Sequence, residues 1–179
     1  MARSLSRIRV GPSTSTDMTV YPGLLSLPAF VPVGAEDSTR QVSLNELDSE
    51  TLPEVGPKEA QLGTLNPDGT GNPMMWMDPI TENPALGATE VWEMYNFTAD
   101  AHPIHLHLVQ FQVVNREVIE TGEVRGPEAW EVGYKDTVVS YPGEITRIKA
   151  QFDLAGRYVW HCHIVDHEDN EMMRAYQVG

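Results

Sequence analysis

His161-Cys162-His163 sets the chain's only cysteine between two imidazoles, and His167 and Met172 follow shortly after. A second cluster lies upstream, His102-Pro103-Ile104-His105-Leu106-His107, and the two segments together hold all six histidines. One thiolate and two imidazoles in a plane, with a weak thioether on the axis, is the donor set of a mononuclear blue-copper site. Other chemistries use the set less fully. An inert buried cysteine behaves as a small hydrophobe and leaves its flanking histidines idle. A Cys/His nucleophile needs one imidazole and leaves five unexplained. Zinc favours further cysteines and has no use for the late methionine.

Backbone geometry divides these residues between two sites. Successive side chains on a strand point to opposite faces. With His161-Cys162-His163 at a strand end, Cys162 faces one way and both histidines the other. With His105-Leu106-His107 extended, its histidines share a face and Leu106 enters the core. Cys162, His102, His167 and Met172 can then converge on one copper, while His105, His107, His161 and His163 converge on a second site behind it. A single residue step of backbone joins the two, a covalent path from a mononuclear donor to a multinuclear acceptor.

The elements that must position these groups are mostly strands. Glu90–Phe97, Ile104–Val114, Thr137–Ser140, Ile145–Phe152 and Arg157–His163 read as half-buried strands separated by turn signals such as Pro142-Gly143 and Ala155-Gly156. Short strands at this spacing predict an all-β Greek-key sandwich or barrel. Asp166–Arg174 reads as a short helix near the C-terminus that brings His167 and Met172 to one metal. Upstream, Ser4–Val10 alternates as a short strand, Gly11–Asp37 is a Pro-rich connector, and Glu50–Asn72 is a mixture of loop and short strands. Residues 1–39 are thus expected to be strand and connector, and residues 40–179 the domain that holds the metal.

From Arg40 to Val178 the chain resembles the C-terminal cupredoxin domain of a multicopper oxidase, nearest the bacterial laccase and bilirubin-oxidase branch. Besides the histidine clusters, the resemblance rests on Arg40-Gln41-Val42-Ser43-Leu44-Asn45-Glu46 and Trp76-Met77-Asp78-Pro79-Ile80-Thr81-Glu82. Gly87-Ala88-Thr89-Glu90-Val91-Trp92, Lys135-Asp136-Thr137-Val138, Pro142-Gly143-Glu144 and Gly156-Arg157-Tyr158-Val159-Trp160 continue it. Ordered motifs at compatible spacings are more specific than any one of them. The resemblance implies a cupredoxin-like sandwich in which His102, Cys162 and His167 are type 1 copper ligands with Met172 axial. It also implies that His105 is a type 2 ligand and His107, His161 and His163 are type 3 ligands, and it favours Met172 over Met173 on the axis. A small phenolic, aromatic amine or tetrapyrrole donor would give up electrons beside His167, and oxygen would be reduced to water at the trinuclear site.

That cluster uses four His-x-His motifs in the family, and only His105/His107 and His161/His163 are present. The rest must come from missing N-terminal oxidase domains or from a second copy of the chain. A stand-alone blue-copper electron-transfer protein and a catalytically silent fragment are the alternatives. Glu168 matches an acid that delivers protons to oxygen in similar oxidases, and a carboxylate near a metal has a tunable proton affinity. Asp136 is a candidate acceptor for a ligand imidazole N–H. Met74, Met75 and Met77 read as strand core rather than a copper-recruiting patch.

Composition sets the outer limits. The chain has 179 residues and a net charge of −14, an acidic surface unsuited to nucleic-acid phosphates or an anionic membrane. Residues 1–10 carry three arginines but no apolar stretch of a secretory signal, so, with Met1 as a natural start, export by that route is not expected.

Overall fold

A computed structural model describes residues 11–12, 21–26, 29–52 and 56–179. Residues up to Phe30 form one unit, whose described part carries a single 3-10 turn at Pro22–Leu24. Val31–Gly179 form a second, and every strand among the described residues belongs to it. The strand expected at Ser4–Val10 lies outside the described residues.

The second unit is a cupredoxin-like β-sandwich of two sheets. The larger contains β1 (Ser38–Asp48), β2 (Pro57–Leu65), β3 (Gly71–Met74), β4 (Thr89–Asn96), β6 (Phe111–Val118), β7 (Val124–Arg125) and β9 (Glu144–Gln151), in the order β3-β2-β1-β4-β9-β6-β7. The smaller contains β5 (His102–Leu106), β8 (Thr137–Ser140), β10 (Gly156–Cys162) and β11 (Met173–Val178), in the order β11-β10-β5-β8. All described pairings are antiparallel except β1 with β4.

Alternation along each strand fills the space between the sheets. β5 alternates without a break, with His102, Ile104 and Leu106 buried and Pro103 and His105 partly exposed. Val42, Leu44, Leu62, Met94, Phe111 and Ile148 meet them from the larger sheet. At the centre Trp92 packs edge-on against Trp160 at 5.6 Å and Tyr176 at 5.9 Å, and stacks on Phe152 at 5.9 Å. Edge-to-face pairs add to the area each ring removes from water, and Trp92→Ala would cost about 3–5 kcal/mol. The Trp92 indole N–H is satisfied by Glu90, which also takes the Arg40 guanidinium at 2.7 and 2.8 Å.

Two sequence expectations need correction. Ile104–Val114 is not one strand: β5 ends at Leu106 and β6 begins at Phe111 in the other sheet. Leu108 takes a left-handed φ of 74°, and the His107 carbonyl just before it accepts the Tyr176 hydroxyl at 2.6 Å. That part-buried hydrogen bond anchors the crossover. The helix also stops early. α1 spans only Val165–Glu168, and Glu171 at φ 69° turns the chain into β11. Pairing of β11 with β10 takes over from helical hydrogen bonding at Met173, opposite His161.

Candidate metal centre

Register places the candidate residues. In the β5–β10 pair His105 lies opposite His161, and Cys162 opposite Ile104. Directly opposed residues share a face, so His105 and His161 point together to one side while Cys162, Ile104 and His102 point to the other. Leu106 is buried beneath the histidines, as expected.

On the core side, Cys162 and His102 are both fully buried. The Cys162 Sγ lies 3.8 Å from His102 Nδ1 and 3.9 Å from His167 Nδ1, and the two Nδ1 atoms are 3.1 Å apart. β5, β10 and α1 each contribute one of these groups. Met172 is also fully buried, and its backbone closes the loop around them: its carbonyl accepts Cys162 N–H at 3.0 Å, and its N–H donates to the His167 carbonyl at 3.0 Å. Met173 pairs with His161 and therefore belongs to the opposite face, whereas Met172, one step back, lies on the Cys162 side.

Burial dominates the proton chemistry of this pocket. It lowers the His102 imidazole to about 4, helped by His167 and opposed by Asp100, and it raises the Cys162 thiol. Burial also raises the Glu46 carboxyl, which approaches His102 Nε2 at 3.5 Å. A neutral imidazole is ready to ligate, whereas the thiol must lose its proton to a metal.

The opposite face carries four imidazoles. Their ring centroids lie 4.8 Å apart for His105–His107, 5.1 Å for His107–His161, 5.3 Å for His105–His161 and 5.8 Å for His105–His163. His105, His107 and His161 bring one nitrogen each within 4.8 Å of one another. His163 is exposed and stands outside that tight set, with its ring 5.6 Å from His161. Carbonyls only accept hydrogen bonds, so those at Nδ1 fix the tautomers. His105 Nδ1 donates to the Asp136 carbonyl at 2.8 Å, and His161 Nδ1 to the Cys162 carbonyl at 2.9 Å. Each Nε2 is thus left as a bare lone pair, and the Nε2 atoms of His161 and His107 face each other at 3.1 Å. Burial, then His105 and His161, lower the His107 imidazole. The proton in the Nε2–Nε2 contact comes from His107, since His161 Nε2 has none to give.

Three other expectations can be located. Asp136 does accept a ligand-candidate N–H, but through its main-chain carbonyl, while its carboxylate takes the Thr137 hydroxyl. Glu168 ends α1 with a carboxylate oxygen 3.3 Å from His161 Nδ1, between the two sites. The methionine run is not strand core. Only Met74 lies in β3, whereas Met75, Trp76 and Met77 are 47, 44 and 87% exposed. The buried Arg174 guanidinium donates to the Met75 and Pro79 carbonyls at 2.9 Å and holds this segment outward. A groove of about 540 Å³ runs from Trp76, Met77 and Ile80 to His107, Arg157 and Tyr158. Glu46, Asn96 and Thr98 around His102 received no role from sequence, although Asn45-Glu46 lies within a recognised motif.

The multicopper oxidase family model matches residues 49–179. The chain belongs to the multicopper oxidase family. It is 44% identical over 151 residues to a laccase of Bacillus stratosphericus, covering 71% of this chain and 30% of that one. It is also 45% identical over 120 residues to a laccase of Bacillus subtilis strain 168, covering 60% and 23% respectively. Among solved structures, a multicopper oxidase from Campylobacter jejuni, described as a metallo-oxidase, superposes with a TM-score of 0.64 at 24% identity, over 86% of this chain and 33% of that one. The chain therefore spans about a third or less of the length of these relatives. Membership of the multicopper oxidase family supports copper as the metal of this chain.

Proposed function

We propose that this chain is the portion of a laccase-like oxidase that contains the entire type 1 copper site and half of the trinuclear site. The observation that carries this reading is the β5–β10 register, which turns Cys162 and His105/His161 to opposite faces of one strand pair. Cys162, His102 and His167 would hold the type 1 copper with Met172 on its axis. His105 would hold the type 2 copper, and His107, His161 and His163 the type 3 pair. The residues fit the metal: a buried thiol lies within 3.9 Å of two imidazole nitrogens, and on the other face the Nε2 atoms of His107 and His161 face each other at 3.1 Å. Bound copper supplies one-electron oxidation of a phenolic, aromatic amine or tetrapyrrole donor and the four-electron reduction of oxygen to water.

The protein's own residues carry the remaining tasks. His167, on the partly exposed α1, offers an edge for a donor. The peptide links from Cys162 to His161 and His163 join the two faces covalently. Glu168, beside His161 Nδ1 and partly exposed, can relay a proton between solvent and the histidine face. The missing imidazoles would come from N-terminal oxidase domains or from a second copy of this chain, its histidine face opposite the first. Residues 1–39 would act as connector and 40–179 as the copper-holding domain.

Sedimentation combined with copper analysis tests the proposal. A self-complementing dimer would hold five coppers and consume oxygen with a phenolic donor. A monomer with one copper, a blue band and no oxygen uptake would identify an electron-transfer module or a piece that needs its partner domains. A colourless Cu(II) protein would refute the type 1 assignment.

A further inference from the structure

Two hydrogen bonds from the Asn96 side-chain amide fix its orientation: Nδ2 donates to the carbonyls of Asp100 at 2.8 Å and Ser140 at 3.0 Å. Its Oδ1 must therefore be the atom facing Thr98, where it accepts the backbone N–H at 2.9 Å and the hydroxyl at 2.8 Å. A hydroxyl has one proton to give and two lone pairs to offer. The Thr98 proton is claimed by carbonyl oxygens, Asn96 Oδ1 or the Asp100 main chain at 3.0 Å. One lone pair takes the Asp100 N–H at 3.2 Å. The other faces His102 Nε2 at 2.7 Å. No proton is left on Thr98 to donate to the ring, so the ring must donate to Thr98. The Glu46 carboxylate oxygen, 3.5 Å from the same nitrogen and without a hydrogen-bond partner, favours an N–H there as well.

We infer that Thr98, held by Asn96, is a positioning residue that keeps the His102 proton on Nε2 and so presents Nδ1 as a bare lone pair to copper. This rests on the proposed role of His102 as a type 1 ligand. In the metal-free protein the 3.1 Å contact between the two Nδ1 atoms then requires His167 to be the donor. His167, not His102, gives up an Nδ1 proton when the metal enters. Groups that fix a ligand imidazole's tautomer in this way typically carry 10- to 100-fold in metal affinity.

Long-range proton–nitrogen spectra of metal-free, nitrogen-15 histidine-labelled protein read the tautomer directly, with His102→Gln identifying the signals. His102 should be protonated at Nε2 in the wild type and in Thr98→Ser, and should lose that preference in Thr98→Val. Titration with copper should show affinity lowered roughly 10- to 100-fold in Thr98→Val and restored in Thr98→Ser. A His102 protonated at Nδ1 in the wild type would overturn the inference, and that measurement needs no variant to fold. Unchanged tautomer and affinity in Thr98→Val would overturn it too. A wild type with Nε2-protonated His102 whose Cu(II) form is colourless would instead remove the type 1 reading and leave the tautomer assignment intact.

Discussion

The two faces of the β5–β10 strand pair use the same backbone and the same side-chain chemistry, yet they are finished to different degrees. On the core face His102, Cys162 and Met172 are fully buried, and the main chain of Met172 closes on Cys162 and His167. On the opposite face His107 and His163 are exposed, and the tight set has three nitrogens. The faces also hold their imidazoles by opposite ends. His102 is gripped at Nε2 by the Thr98 side chain, whereas His105 and His161 are gripped at Nδ1 by main-chain carbonyls. A site closed by its own chain can use side-chain partners, because those are local and buried. A face left open relies chiefly on the backbone, which is present whatever docks against it, with the Thr137 hydroxyl a second partner of His105 Nδ1 at 3.1 Å.

The contrast is broken most severely at its shared residue. Cys162→Ser should abolish the blue band of the copper-loaded protein while the far-ultraviolet dichroism stays that of the wild type. His105→Ala should do the reverse, keeping the band and removing metal uptake at the histidine face. Loss of colour in His105→Ala would mean that the faces are not separable.

A smaller effect separates the methionines. Met172→Leu should keep copper bound and raise its potential, because a weak axial donor is withdrawn. Met173→Leu, on the histidine side, should change the potential little. Voltammetry of both variants reads this, and a shift confined to Met173→Leu would move the register by one residue. The smallest effect is structural. Tyr176→Phe removes the hydroxyl that holds the His107 carbonyl and should cost about 1 kcal/mol in chemical denaturation, with the blue band unchanged.

Much of this arrangement was legible in the sequence because alternation is a local rule. Once His161-Cys162-His163 and His105-Leu106-His107 are read as extended, their faces follow. The all-β class and the multicopper oxidase resemblance were legible for a similar reason, since most of the motifs sit on a strand or at its end, residues 76–82 in a loop being the exception. What escaped depends on contacts distant in sequence. The break at Leu108 is set by Tyr176, and α1 is cut short by β11 pairing with β10. The methionines were misread because Arg174, far along the chain, holds their segment outward. Thr98 and Asn96 carry no metal-ligand signature, and only their convergence on His102 shows their use.

The parallel pairing of β1 with β4 also bears on the order of assembly. Asp37 and Thr89 exchange hydrogen bonds across 52 positions of sequence, and the registered pairs from Ser38↔Glu90 onward repeat that span. Closing so long a loop costs entropy before any contact rewards it. Folding should therefore be slow for a chain of this size and governed by such long closures, those of β4 with β9 and of β5 with β10 included, rather than by the hairpins. β1 lies inside the larger sheet, so the wall against which β5 and β10 pack is complete only after β1 closes. The copper pocket would then mature late, and metal offered to a refolding chain should report the final step, not the initial collapse.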